Sequence, residues 1–481
     1  MKIKKITSAF LVLFLLLQWV NCEKKGSNIL YPNQLPQTWI ANIPTENTPQ
    51  TSYFPLISIS WKGGDDDGYI KGFYVRWNTY HLTRGDSIIR EFHFTTATSD
   101  TIAFESSDDV NYQVLEVKAV DNKNGVDPTP ATRTFYTTKV KSPETNILKP
   151  VQDGEYFILP HITDYWHGIP FTFQGSDEDG EVVSFSYQVD NEPWSEWISD
   201  TTVYITPGYF SMPLSGMHSL KAKAKDNTDV EDPTPAEVSF KLFEASFNKS
   251  ILVLDETFNG AGNVFSPNDE MVDTFYDSVI NRNIDSWDYT KDNGVPSKDI
   301  LGQYRLLIWH SDDKDQNEVY KYQEYLSDYL NVGGKLFLGG WKILDHLVNE
   351  FPAKFTNDDF AFKYLRIARC DQQNVTATDP PDFIGGLAQN GFPDVNIDSI
   401  RVIPFYYGKL PYVNILTPAT FAEPISVYHS AFNRPGIEGE PCALSYYNEV
   451  TRVIFLAFPL YYVKQADARS FMDKALEFLQ E

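Results

Sequence analysis

Cysteine is scarce in this chain: three in 481 residues, Cys22, Cys370 and Cys442, too few for a disulfide-stapled scaffold. Positive charge is short as well. Forty Lys and Arg stand against sixty-five Asp and Glu, a net charge of −25, and so acidic a surface is repelled by phosphate backbones and anionic lipid headgroups. Nucleic acid is therefore not an expected partner. After the N-terminal apolar run no stretch approaches 18 apolar residues, which argues against a bundle of membrane-spanning helices. What is present is a globular composition, 42% hydrophobic and 22% charged. At about 150 residues per domain, the length suggests roughly three domains.

The chain opens MKIKK, continues as the apolar run Ala9 to Leu17, and reaches QWVNC at Cys22. A basic stretch followed by a short apolar one predicts an export signal over 1–21, too short for a permanent membrane helix. With Cys22 directly after it, the segment resembles a bacterial lipoprotein signal. That resemblance implies lipidation of Cys22 and a membrane partner through the lipid anchor, with the protein held at the cell envelope, on the outer membrane or cell surface. An ordinary export signal beside a coincidental cysteine is the competing reading. Residues 22–50 have the composition of a tether. In an exported protein, Cys370 and Cys442 fit either one disulfide or two buried thiols.

Between residues 50 and 246 the chain repeats itself. GGDDDGYIKGFYVRW (Gly63 to Trp77) recurs as GSDEDGEVVSFSYQV (Gly175 to Val189), and AVDNKNGVDPTP (Ala119 to Pro130) as AKDNTDVEDPTP (Ala224 to Pro235). Short β-rich runs alternate with Asp, Gly and Pro turns, which predicts two β-sandwich modules, 51–141 and 142–246. The period-2 pattern puts Ile70, Phe73 and Val75 on the core side of the next strand, with a slippage that a bulge at Gly72 explains. Both units resemble immunoglobulin-like and fibronectin type III modules, which implies use as spacers or binding modules.

The acids Asp65, Asp67, Asp121, Asp177, Asp179 and Asp226 are candidate calcium ligands, because that ion takes six to eight oxygens. Turn chemistry competes with this. Counting twelve residues from Asp65 or Asp177 gives Arg76 or Gln188, not the Glu an EF-hand loop needs. The aromatics Tyr165, Trp166, Trp194 and Trp197 are candidates for stacking on a glycan, with packing in the sandwich as the alternative.

From Lys249 the pattern changes. Apolar runs at Ser250–Asp255, Tyr304–His310, Lys335–Gly340 and Arg452–Phe458 predict buried strands, with helical periodicity at Asp269–Asn281, Asn317–Leu330 and Ala466–Leu479. The alternation predicts an α/β flavodoxin-like domain over 249–481, with ligands held at the strand ends. "YRLLIWHSDD…YLSDYLNVGGKLFLGGWKI" resembles the class I glutamine amidotransferase-like fold. Catalytic members carry a G-x-C-x-G elbow, whereas Leu338-Gly339-Gly340-Trp341-Lys342 offers no Cys or Ser. No catalytic residue is assigned. Asp255, Glu256, His310, Asp312 and Asp313 at two strand ends are the candidate ligand crevice for a metal or small polar ligand. The expected function is surface binding or scaffolding of a glycan or protein ligand by a lipoprotein with a non-catalytic amidotransferase-like domain. The alternative is an exported hydrolase acting on a glycan or peptide through its strand-end carboxylates.

Overall fold

The computed structural model of the protein describes residues 32–42, 47–260, 267–373, 375, 376 and 379–480. The expected signal segment and Cys22 lie outside the described residues. The chain divides into two compact units.

The first unit runs through Ser142 and takes in the loops Asp177–Glu181 and Lys225–Val230. Strands Gln37–Ala41, Leu56–Gly64 and Ser99–Ala103 form one antiparallel sheet; the other is built on Ile70–His81, Asn111–Asp121 and Ala131–Thr137. The period-2 pattern of the long strands drives Phe73, Val75, Leu115 and Val117 into a core shared with Ile59, Trp61 and Phe104. The expected bulge lies between Ile70 and Gly72. One boundary needs correction. Part of the segment read as a tether belongs to this sandwich: Gln37–Ala41 pairs with Leu56–Gly64, and Thr38 Oγ1 donates to Asp127 at 2.7 Å. Its Pro- and Gln-rich flanks hid a five-residue strand.

The second unit holds the rest of the second sandwich and everything after it. A three-strand sheet (Glu144–Lys149, Ile169–Ser176, Thr202–Ile205) and a four-strand sheet (Glu155–Ile158, Val182–Val189, Gly216–Asp226, Ala236–Glu244) make a four-plus-three sandwich. Its core residues Phe157, Phe171, Leu220 and Phe240 are continuous with Leu252, Leu307, Trp309 and Tyr329 of the following segment. The boundary expected near 246–249 therefore does not separate two cores.

That following segment builds a nine-stranded sheet. In chain order its strands are β1 (Lys249–Asp255), β2 (Asp285–Asp288), β3 (Tyr304–Ser311), β4 (Lys335–Gly340), β5 (Phe383–Ala388), β6 (Val395–Asn396), β7 (Ala422–Ser430), β8 (Pro441–Tyr447) and β9 (Arg452–Leu456); in space they run β2-β1-β3-β4-β9-β8-β7-β5-β6. The first five of the spatial order are mutually parallel and the remaining pairs antiparallel. Both faces are buried, and alternate side chains go to different cores. Leu252, Leu307, Leu338 and Phe455 join the core continuous with the sandwich; Ile251, Ile308, Phe337 and Ile454 join a second one under α1 (Asp269–Ile280) and the C-terminal helix Gln465–Gln480. This is why the strands read as continuous apolar runs.

The α/β flavodoxin-like class is not what forms. Strands make up 41% of the chain and helix 15%. Residues 341–451, which a doubly wound fold would give to further helix crossovers, fold mainly as antiparallel strands, among them β5, β7, β8 and a small separate sheet containing Ile367–Gln372 and Asn414–Pro418. Helical periodicity is legible in the flanking segments 269–281, 317–330 and 466–479 and not across this stretch.

Candidate functional site

Parallel pairing sets Asp255 directly beside both His310 and Asp288 at the carboxyl ends of β1, β3 and β2. The apolar runs stop there because acids replace the packing residues, and the chain leaves the sheet with its polar groups clustered. His310, 1% exposed, lies between carboxylates: Nδ1 is 2.9 Å from Asp312 Oδ2 and 3.5 Å from Asp255 Oδ1. The ring stacks on Tyr276 of α1, centroids 3.7 Å apart and planes 14° from parallel. Tyr276 in turn donates its hydroxyl to Asp312 Oδ1 at 3.3 Å, as does the Tyr461 backbone N–H at 3.2 Å.

Burial and charge act in opposite senses here. Burial pulls His310 down, but Asp255 and Asp312 outweigh it and its affinity for a proton ends above the ordinary range. Burial pushes Asp255 up to about 7 against the pull of His310. Asp313, whose Oδ2 accepts from the Phe258 N–H at 2.8 Å, is likewise pushed up to about 7 by burial.

Of the five expected crevice residues, Asp255, His310 and Asp312 meet directly. Glu256 turns to the Trp309 face, where its carboxylate accepts from Trp309 Nε1 at 2.6 Å and from the Glu318 N–H. Burial raises it to about 8. The crevice also contains two acids the sequence reading missed. Asp269, in the first turn of α1 with Asn268 as its N-cap, and Asp288, at the end of β2, each bring a carboxylate oxygen within 4.8 Å of the others and of one from Asp255. One oxygen of each carboxylate is held: Asp255 Oδ1 by the Thr257 N–H, Asp288 Oδ1 by the Thr290 N–H and hydroxyl and the Lys291 N–H, Asp269 Oδ2 by Lys291 Nζ at 2.9 Å. The other oxygens of Asp255 and Asp269, Asp255 Oδ2 and Asp269 Oδ1, are buried without a hydrogen-bond partner, whereas Asp288 Oδ2 is paired with Lys291 Nζ at 2.5 Å.

No attacking group stands at the end of β4. Trp341 is fully buried and donates its indole N–H to the Pro411 carbonyl at 2.9 Å; Lys342 takes the left-handed conformation, φ 60°. Cys370 and Cys442 are free thiols, not the disulfide that remained open. They lie in different cores, one on each side of the sheet, and burial pushes both up to about 12. A thiol so hard to ionise is a poor nucleophile.

The candidate calcium acids gather three to a module, Asp65 with Asp67 and Asp121 and Asp177 with Asp179 and Asp226, while among the described residues Asp255, Asp269 and Asp288 bring three ligand oxygens within 4.8 Å of one another. The loop acids also serve turns. Asp121 Oδ1 accepts the Lys123 and Gly125 N–H groups, and Asp226 Oδ1 those of Thr228 and Val230. Lys123 Nζ closes on Asp67 at 2.6 Å, while Asp177 Oδ1 accepts the Asp179 N–H and Asp179 Oδ2 the Lys141 N–H. Asp65 Oδ1 accepts the Asp67 N–H. The repeated glycines have a common cause. A Cβ at Gly68 would fall 2.1 Å from Asn122 Oδ1, and one at Gly180 2.6 Å from Asn227 Oδ1. These carboxamides accept from the Tyr69 and Glu181 N–H groups.

Among the candidate stacking aromatics, Trp166 is buried, while Tyr165 and Trp194 are partly exposed. Lys223 Nζ lies over the Trp194 and Trp197 rings at 4.9 and 5.3 Å. Tyr165 lines a cleft of ≈ 850 Å³ between the second sandwich and the nine-stranded sheet, with His161, Arg305, Lys335, Tyr447 and Arg452. Arg305, Lys335 and Arg452 stand at the starts of β3, β4 and β9, the opposite end of the sheet from the acids. Sequence reasoning missed this cleft, since its three bases are separated by up to 147 residues (452 − 305) and none belongs to a motif.

No protein-family model matches the chain, and no curated protein matches it. Solved structures similar to it include the fibronectin(III)-like modules of CbhA from Clostridium thermocellum, at 15% identity over 39% of this chain and 85% of that one, TM-score 0.20. Others are the polyextremophilic β-galactosidase of the Antarctic haloarchaeon Halorubrum lacusprofundi (15% identity, 49% and 30% of the two chains, TM-score 0.31) and the chicken CNTN1 FN1-FN3 domains (12%, 43% and 66%, TM-score 0.16). The chain thus spans 30% of that β-galactosidase. Fibronectin III-like modules are among its structural neighbours, and at these scores the likeness carries nothing about activity.

Proposed function

We propose that this protein is a cell-envelope lipoprotein, anchored through Cys22, that binds an acidic glycan without turning it over. The observation that carries the binding reading is the cleft at the strand starts, where Arg305, Lys335 and Arg452 converge in a chain of net charge −25. One acid, Glu449, also lines it. Guanidinium and ammonium groups suit carboxylated or sulfated sugars, and the exposed rings of Tyr165 and Tyr447 offer flat apolar faces for sugar rings. The non-catalytic reading rests on the missing nucleophile after β4 and on two thiols sealed in separate cores. Among the described residues no helix is long and apolar enough to cross a membrane; attachment is assigned to the lipid on Cys22 because the basic and apolar segment before it resembles a lipoprotein signal.

The test uses the full chain. Affinity electrophoresis in gels containing neutral or acidic polysaccharide should show retardation by the acidic one alone, weakened by Arg305→Ala with Lys335→Ala. Metabolic labelling with an alkyne fatty acid should mark the wild type and spare Cys22→Ala. Equal mobility in every gel removes the glycan, and products released from the polysaccharide by the wild type but not by Asp255→Asn would favour the hydrolase.

A further inference from the structure

We infer that Asp255, Asp269 and Asp288 form a binding site for a hard divalent cation, with Lys291 as a tethered cation that the metal displaces. This is independent of the glycan cleft at the other end of the sheet.

Three observations converge. The first is donor geometry: one oxygen from each carboxylate lies within 4.8 Å of the other two. Oxygens bound to one calcium ion at about 2.4 Å can be separated by up to about twice that length, whereas the tighter Mg²⁺ shell closes near 4 Å. The second is the state of those carboxylates. Asp255 and Asp269 are 3% and 4% exposed, and each has an oxygen that no donor reaches. A buried, unpaired carboxylate oxygen is costly, and native proteins rarely leave two side by side. Thr257 Oγ1, fully buried two residues after Asp255, is also without a partner.

The third observation concerns Lys291. Its ammonium lies 2.9 Å from Asp269 Oδ2 and 2.5 Å from Asp288 Oδ2, yet its side chain is 64% exposed. It offers one positive charge to a pocket whose carboxylates also include Asp312 and Asp313. A flexible, solvent-facing Lys can leave without unpacking anything. The three acids come from separate segments, two strand ends and a helix start, held in place by parallel pairing and by the Asn268 cap. All three donors are carboxylates, which favours Ca²⁺ or Mn²⁺ over softer ions.

Calorimetric titration of chelator-stripped full-length protein with Ca²⁺, Mn²⁺ and Mg²⁺ tests this. Saturable binding of Ca²⁺ or Mn²⁺ is expected, with Mg²⁺ weaker. Asp269→Asn with Asp288→Asn should abolish that binding while circular dichroism stays native. Lys291→Gln, an exposed change that leaves the fold intact, should tighten binding about tenfold by removing the competing charge. No saturable heat with any of the three ions overturns the site, and so does binding that survives the double variant or is unchanged or weakened by Lys291→Gln.

Discussion

His310 and Tyr276 lie almost face to face, 3.7 Å between ring centroids, with both side chains reaching Asp312. The stack fastens α1 to the end of β3, so the strand-end cluster and the core beneath it are one structure. Tyr276→Ala should destabilise the second unit by about 3 to 5 kcal/mol, from the lost ring and the cavity it leaves. Tyr276→Phe, which loses only the hydroxyl's bond to Asp312, should cost about 1 kcal/mol. Urea unfolding followed by tryptophan fluorescence measures both. Equal effects would mean the hydroxyl, not the stack, is what matters.

The glycines of the repeated DxDG turns are required by the asparagine opposite each and the aspartate three residues before it, Asp65 or Asp177. Gly68→Ala should lower the melting temperature of the first unit, because its Cβ would meet Asn122 Oδ1 at 2.1 Å. Adding Asn122→Ala should recover part of the loss, a non-additivity expected of groups in contact. Calorimetry on the single and double variants gives the coupling; strict additivity would place the cause elsewhere.

Asp190 ties together one end of the second sandwich. Its carboxylate accepts from the Ser211 N–H and hydroxyl, the Ser219 N–H and His218 Nδ1, at 2.7 to 3.0 Å. Burial raises its affinity for a proton, but His218 and these donors outweigh that and hold it below the ordinary carboxylate range. A depressed folded value means the contribution is complete above the unfolded carboxylate range near pH 4 and disappears as pH falls through the folded value. Asp190→Asn should therefore cost about 2 to 4 kcal/mol at pH 7 and converge on the wild type in acid. Melting curves from pH 7 down to pH 3 show whether the gap closes.

Both free thiols should be silent in the folded protein. Cys370 and Cys442 are 0% exposed and raised to about 12, so a thiol reagent at pH 8 should react with neither until denaturant unfolds the chain. Rapid labelling of either one in native buffer would show that its core opens.

Much of the local structure was legible. Apolar runs ending in acids marked β1 and β3, and a short run with two glycines marked β4, because strands buried on both faces have no polar side to interrupt them. Such a run names a strand without naming its neighbours, so the pairing within 249–481 is not legible in it. The period of residues 341–451 carries no instruction that β8 should turn back antiparallel to β9.

The site divides in the same way. By itself the sequence determined that Asp255 and His310 end two strands, that the acidic turns are duplicated and that no Cys or Ser follows β4; parallel pairing then set Asp255 beside His310. Only the tertiary structure decided that Asp269 and Asp288 join them, that three distant bases share a cleft, and that the two cysteines fall on opposite sides of a sheet. Local pattern reports which way each side chain faces along its own segment. Which surfaces meet is settled by the burial of those faces against partners far away in the chain, and no short window of sequence contains both.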